Sequence, residues 1–268
     1  MSEPDHFAEM DALDAAAGRP AFRDRRLSFG ARADDYDRYR PGYTPAIAQW
    51  LIGDPPPDTS LRVLDLAAGT GQLGRTLLTL GHDVVAVEPD PEMRARAARR
   101  LGDKRVFAGT AESIPLSDAS VDAVVVGTAW HWFDRQLAPP EIARVLKPGG
   151  RLGVAWNLRD DRVPWVSAFD ELVDGQDRVM RAAEVRFESP EPWFGPADSA
   201  DLPHAITIAP NDLVGLASSF SYVALRPDVN AVLESVRELV ATHPDLAGRD
   251  TIEMPYVAHS FRVVKHGD

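Results

Sequence analysis

Three glycines and three acids carry the most legible chemistry in this chain. Gly69, Gly71 and Gly74 stand in DLAAGTGQLG (65–74) with the spacing G-x-G-x-x-G, after the apolar run VLDL and ahead of a helical pattern. Glycines so placed let the backbone turn sharply and bring a helix N-terminus up to a ligand. A nicotinamide or flavin dinucleotide loop sets its first glycine directly at the strand end, so that backbone amides reach a pyrophosphate. Here an acid, Asp65, stands four residues before Gly69. A carboxylate there repels phosphate and suits a ligand bearing positive charge, such as an amino-acid ammonium or a sulfonium. The alternative is that Asp65 bonds only backbone amides of its own loop, and the two roles are compatible. Glu88 closes the next apolar run, DVVAVE, 19 residues after Gly69. An acid about 20 residues on accepts hydrogen bonds from two ribose hydroxyls. Glu112, in GTAESIPLSDASVDAVVV, follows a third run. It is placed either to meet an adenine edge or to stand as a solvated loop acid. The acids point to an adenosine and leave its cargo open.

Such residues need a scaffold that delivers them to one edge. From LRVLDL onward, apolar runs of strand length alternate with helical patterns: helix 71–80, DVVAVE, helix 90–101, RVFAG, VDAVVVG, helix 134–146 and RLGVAW. That alternation predicts an α/β fold, a parallel sheet with helices on both faces, and the runs are apolar throughout, as strands covered on both sides are. Asp90 with Pro91 reads as an N-cap and first helical position, Asp134 as a second N-cap, and KPGG (147–150) as a helix stop. A short helix is expected near 45–52. Beyond 157 the pattern predicts a helix near 163–182, a Pro- and aromatic-bearing loop, a strand HAITIAP, two short helices and an extended segment near 251–265. Pro255 lies inside that last segment, so its regular part is expected to begin after the proline or to carry a bulge. Residues 1–28 read as a mobile leader and 29–268 as one domain, with 160–250 shaping an acceptor pocket.

Composition excludes several classes. With 29 Lys and Arg against 41 Asp and Glu, the net charge of −12 opposes binding to a phosphate backbone. The basic stretch RARAARR (94–100) reads as a solvated helix face. The absence of cysteine removes disulfides, thiolate zinc sites and a cysteine nucleophile. No metal site is suggested by the seven scattered histidines. An acidic N-terminus without an apolar run is no signal peptide, and no stretch approaches the ~20 apolar residues of a membrane span, so a cytoplasmic protein is expected.

In this order and spacing, VLDLAAGTGQLG, VVAVEPDPEM, GTAESIPLSDASVDAVVV, HWFD and EIARVLKPGGRLGVAWN resemble the successive motifs of the class I S-adenosylmethionine-dependent methyltransferases. The likeness is to the small-molecule branch that includes trans-aconitate methyltransferase-like proteins. It covers about 30–160 strongly and extends more loosely through RDDRVPW and TIEMPYV. The resemblance implies a Rossmann-like, seven-stranded, mostly parallel sheet whose last strand is antiparallel. It implies S-adenosylmethionine as cofactor, S-adenosylhomocysteine as product, and Asp65, Ala67, Gly69, Gly71, Glu88, Pro89, Met93, Ala111, Glu112 and Thr128 around the cofactor. One position departs from the D-x-G-x-G-x-G pattern: Ala67 replaces the first glycine, which is tolerable if its φ is negative.

Methyl transfer from a sulfonium is an in-line displacement, and holding two reactants in line in a dry site supplies much of the rate. A base helps when the acceptor is a hydroxyl. His131, in TAWHWF after the fourth strand, sits where such folds bind ligands and can serve as a base, as a hydrogen-bond donor or as a structural residue. Trp130 and Trp132 line a pocket or belong to the core. Tyr36, Tyr39, Arg40 and Tyr43 in YDRYRPGY read as a lid, Arg40 facing a carboxylate and Tyr43 an acceptor. Asn157, Arg159, Trp193 and Phe194 are acceptor-contact candidates by position alone. The partner expected is a small molecule, not nucleic acid or a membrane. The alternatives are a protein using S-adenosylmethionine without methylating, a protein methyltransferase with an open groove, and a non-catalytic binding module. A nicotinamide oxidoreductase of the short-chain type fails for want of a Tyr-x-x-x-Lys pair.

Overall fold

The computed structural model describes residues 38–174, 187–224 and 226–267. The expected leader and Tyr36 lie outside them. In chain order the elements are α1 (Pro45–Leu51), β1 (Arg62–Leu66), α2 (Gln72–Thr79), β2 (Asp83–Val87), α3 (Pro91–Leu101), β3 (Val106–Phe107), β4 (Val121–Gly127), α4 (Ala138–Val145), β5 (Leu146–Arg159), α5 (Pro164–Asp174), β6 (Asp198–Ile208), α6 (Asp212–Ser218), α7 (Ser221–Ala224), α8 (Val229–Thr242) and β7 (Ile252–Val264).

The seven strands form one sheet in the order β3-β2-β1-β4-β5-β7-β6. β1 pairs in parallel with β2 and β4, β2 with β3, and β4 with β5. β7 runs against β5: Asp160 N–H reaches Pro255 O (3.0 Å), while Lys265 N–H reaches Gly150 O (2.8 Å). β6 runs against β7 in turn, with Thr207 on Glu253 (2.5 Å) and Asp201 on His259 (2.7 Å). Six strands therefore share a direction and the last opposes them, as expected.

The apolar runs explain the sheet's burial. Val63, Val84, Ala123, Val125 and Ala155 pack with Ile47, Leu51, Leu73 and Leu77 of α1 and α2. The alternate positions Leu64, Leu66, Val85, Val87, Val124 and Val126 are also buried, so both faces are covered. Each buried Val, Leu or Ile among them contributes about 1.5–3 kcal/mol. No helix among the described residues is long and apolar enough to cross a membrane.

The chain divides into two compact units. One takes the described residues of Gly42–Asn157, Val185–Leu202 and Ala258–Asp268; the other takes those of Met1–Pro41, Leu158–Glu184 and Pro203–Val257. The second has its own core, in which Trp165, Phe169 and Val173 of α5, Leu213 and Leu216 of α6, and Val232, Val236 and Val240 of α8 pack with Met254 and Tyr256.

Several boundaries differ from the sequence reading. α4 begins at Ala138, not at 134. Asp134 Oδ1 accepts from the amides of Gln136 and Leu137 (2.8 and 3.0 Å), which caps a turn ahead of the helix. RVFAG keeps only Val106 and Phe107 as strand. KPGG is absorbed into β5 as an irregularity, since Val121 faces Leu146 but Ala123 faces Arg151. HAITIAP is the end of a longer strand that starts at Asp198, and three helices, one of 14 residues, follow it. Pro255 interrupts nothing: β7 runs through it from Ile252. In a strand a residue's N–H and C=O point to the same neighbour, and Pro255 O accepts from Asp160, one residue past the end of β5. The missing donor falls where the ladder is already ending.

Candidate active site

The loops that follow β1 to β5 bring most candidate residues of the first unit to the carboxyl edge of the sheet, whereas Trp193 and Phe194, paired with His266 and Lys265 beside Gly150 at the start of β5, stand at the opposite edge. Asp65, 2% exposed, lies within β1. Its Oδ2 accepts the amide of Gly74 at 2.8 Å, and a Cβ on Gly74 would stand 2.9 Å from that oxygen, so only glycine lets helix α2 come this close. Burial drives the Asp65 pKa up to about 7; the Gly74 amide opposes the rise and the nearby Glu88 adds to it. Glu88, just past β2, accepts from Gly69 N–H (2.8 Å) through Oε2 and from Asp90 N–H (2.9 Å) through Oε1. Burial raises its pKa as well, against those two amides. Each carboxylate oxygen keeps a second lone pair for a ligand hydroxyl.

The glycine loop is strained at one position. Gly69 and Gly71 have φ of 56° and 81°, which glycine adopts freely, and nothing lies within 4 Å of a Cβ placed on Gly69. Ala67, however, has φ 55°. The negative φ on which its tolerance rested is not found, because the Ala68 amide on Val87 O (3.2 Å) and the Gly69 amide on Glu88 fix the loop's path. An alanine methyl in that region costs about 1–2 kcal/mol, and glycine gives back about 0.4–1 kcal/mol through the unfolded chain. Ala67→Gly is thus expected to raise stability by about 0.5–1 kcal/mol, read as a higher urea midpoint at unchanged slope.

Thr128 follows β4 with φ 53°, an outlier for a β-branched residue and of the kind that gathers at functional sites. Its amide donates to Ala155 O (2.7 Å), and its Oγ1 shares a hydrogen bond with the Tyr43 hydroxyl (2.9 Å). The Tyr43 ring lies on Gly127, where a Cβ would meet its hydroxyl at 2.7 Å. Thr76 Oγ1 donates to Tyr43 O (2.9 Å) and Asn157 Nδ2 to Gly42 O (3.1 Å). The 42–43 segment is therefore tied to residues that follow β1, β4 and the core of β5.

Met93 is buried in the first turn of α3, its amide capped by Asp90 Oδ1 (2.9 Å), while Pro89 is exposed in the preceding turn. Ala111 is buried, and Glu112 beside it accepts from Asp134 N–H (3.0 Å), which ties the loop after β3 to the loop after β4. Arg144 braces the former by bonding Ile114 O, Leu116 O, Asp118 and Glu141. His131 and Trp132 lie in a 3-10 turn, Trp130–Trp132, with their ring centroids 4.6 Å apart. His131 Nδ1 is bonded to Trp156 Nε1 at 3.2 Å. Trp193 is 43% exposed and Phe194 1%, the latter bridged by its backbone to Lys265.

Three candidates belong to the second unit, of which Tyr39 packs against its apolar core. Arg159 forms a buried ion pair with Asp170, its guanidinium over the rings of Phe169 and Phe220. Arg40 donates to Ser219 Oγ (3.2 Å) and Ser219 O (3.3 Å) and lies over Phe220.

Three features escaped the sequence reading. The basic stretch of α3 is more than a solvated face, since Arg94 donates to Glu88 O and Pro89 O and Arg100 to Thr70 O and Oγ1. Their one signal is position, beside the buried stripe Met93, Ala97 and Leu101. The Tyr43–Thr128 and Trp156–His131 bonds join residues far apart in the chain and left no sequence signal. Among the described residues, no group of three His, Asp or Glu is placed to hold a metal ion.

A family profile described as "Methyltransferase domain" matches residues 64–154. A Mycobacterium tuberculosis protein named as an uncharacterized methyltransferase is 44% identical over 237 residues, covering 88% of this chain and 94% of its own. A malonyl-[acyl-carrier protein] O-methyltransferase of Pectobacterium atrosepticum is 31% identical over 155 residues, covering 58% of this chain and 60% of its own. Among solved structures, a putative type II methyltransferase from Anaeromyxobacter dehalogenans superposes with a TM-score of 0.59 at 22% identity, covering 85% and 98% of the two chains.

Proposed function

Because the chain belongs to the class I S-adenosylmethionine-dependent methyltransferases, we propose that it methylates a small-molecule acceptor and releases S-adenosylhomocysteine. The observation that carries this reading is the pair of buried acids, Asp65 and Glu88, set on either side of an open glycine turn. A buried carboxylate such as Asp65 is stabilised by a cation and destabilised by a phosphate, which favours an amino-acid sulfonium over a dinucleotide. Glu88 takes the ribose hydroxyls on its remaining lone pairs, and Glu112 and Ala111 stand at the adenine. Gly69, Gly71, Ala67, Pro89 and Met93 form the walls, and Thr128 borders the methionine portion. When bound, S-adenosylmethionine supplies an activated methyl group; the protein's own part is to align the acceptor and to exclude water.

A small acceptor is supported by the three hydrogen bonds that hold Gly42 and Tyr43 to Thr76, Thr128 and Asn157, a segment that in this reading covers the site. In this reading Tyr43, Trp132, Asn157 and His131 face the acceptor side. The test is calorimetric titration with S-adenosylmethionine, S-adenosylhomocysteine and NAD, followed by a screen of small acids, alcohols and amines with methyl-labelled cofactor. Saturable binding of the two sulfur nucleosides and label transfer to a small molecule is the expected result. Binding of NAD alone, or label found only on protein, overturns it.

A further inference from the structure

A group of aromatic side chains in the first unit closes on itself around His131. Trp130 packs against Phe187 at 5.3 Å, Phe187 stacks on Phe261 at 5.5 Å, and Phe261 meets Trp156 edge-on at 6.0 Å. Trp156, 1% exposed, then returns to the starting turn through its indole nitrogen, which lies 3.2 Å from His131 Nδ1. The Trp132 ring lies 4.6 Å from the imidazole, tilted by 45°. The ring of contacts leaves Trp156 little freedom to turn its N–H elsewhere.

An indole nitrogen donates and never accepts. The Trp156 bond therefore requires a lone pair on His131 Nδ1, and in a neutral imidazole the proton must then sit on Nε2. A general base at Nε2 would need the lone pair there. We propose that Trp156 is a positioning residue that fixes His131 as the Nε2–H tautomer, so that His131 meets the methyl acceptor as a hydrogen-bond donor and not as a base. The inference rests on the reading of a small-molecule acceptor given above and adds a condition to it: the acceptor atom arrives with its lone pair already exposed, or sheds its proton to another group. A donor aimed at an acceptor oxygen holds that oxygen in line without taking a proton from it.

The first test needs no acceptor. In protein carrying nitrogen-15 histidine, with His131 assigned by its loss in His131→Gln, long-range proton–nitrogen spectra at neutral pH should show a bare Nδ1 and a protonated Nε2. Trp156→Phe keeps an aromatic ring beside Phe261 while removing the donor and part of the indole's volume, and should convert the signal to a mixture of both tautomers. A proton on Nδ1 in the wild type, or an unchanged pattern in Trp156→Phe, overturns the proposal. The second test uses the acceptor from the label screen. Gln can donate but is no base, so His131→Gln should keep activity within about 10-fold, whereas His131→Phe should lose about 10²–10³-fold in kcat, as removal of a positioned donor does. Equal loss in both variants overturns the donor role. The expected tautomer in a protein that labels no small molecule retires the acceptor reading and leaves Trp156's effect on His131 standing.

Discussion

Glu88→Gln is expected to weaken S-adenosylhomocysteine binding by about 10²–10³-fold while leaving the fold intact. Two hydrogen bonds from ribose hydroxyls to an ionised carboxylate are worth about 1.5–3 kcal/mol each, and an amide of the same shape keeps one acceptor oxygen and loses the charge. Stability should fall by only about 1–3 kcal/mol, the cost of one backbone amide left without an acceptor, because burial already disfavours the ionised form of Glu88. The carbonyl of Gln can still accept one of the two amides, from Gly69 or from Asp90, that Glu88 now holds. Calorimetric titration gives the affinity and a urea melt the stability. A variant that binds as tightly as the wild type would remove Glu88 from the ligand site, and one that unfolds would assign it to the loop alone.

Asp65 should impose a pH dependence of opposite sign on folding and on ligand binding. With a folded pKa of about 7 against an ordinary value of 3.8, its carboxyl stays protonated in the native protein after the unfolded chain has released its proton. The unfolded state then binds fewer protons, so this group's contribution to stability falls as pH rises from about 4 to about 7, by a total on the order of 4 kcal/mol. A ligand with an ammonium or sulfonium prefers the ionised form. Affinity for S-adenosylhomocysteine should therefore climb up to about tenfold per pH unit below pH 7. It should decline at higher pH, once the ligand's own amino group loses its proton. Calorimetry in buffers of different ionisation enthalpy should register a proton released from the protein near pH 6. Asp65→Asn should flatten both the stability slope and the rise in affinity; an unchanged affinity profile in that variant would separate Asp65 from the ligand.

The elements that carry these acids were legible because their signals are local. Strand runs apolar throughout mark a sheet covered on both faces, and Asp90–Pro91 announces the start of α3, where the cap is found. Boundaries set by tertiary pairing were less legible. β6 extends back to Asp198 through Pro203, and β7 runs through Pro255, because each position's neighbour decides whether a proline's missing donor matters. No local pattern carries that information.

The candidate site divides along the same line. Residue types at fixed offsets along one strand–turn–helix unit, Asp65 to Gly74 and Glu88 to Met93, are constrained by a few dihedral angles, so the fold class, the acids and the glycine turn could be read from local pattern. The state of those side chains depends on contacts that exist only after folding. Burial and the proximity of Glu88 set the protonation of Asp65, and the path of the loop, held by Val87 and Glu88, set a positive φ at Ala67. A tryptophan 25 residues away chose the tautomer of His131, and a tyrosine 85 residues away holds Thr128. Protonation, strain and tautomer depend on which groups share a volume from which water is excluded, and residues remote in the chain share that volume only once it has folded.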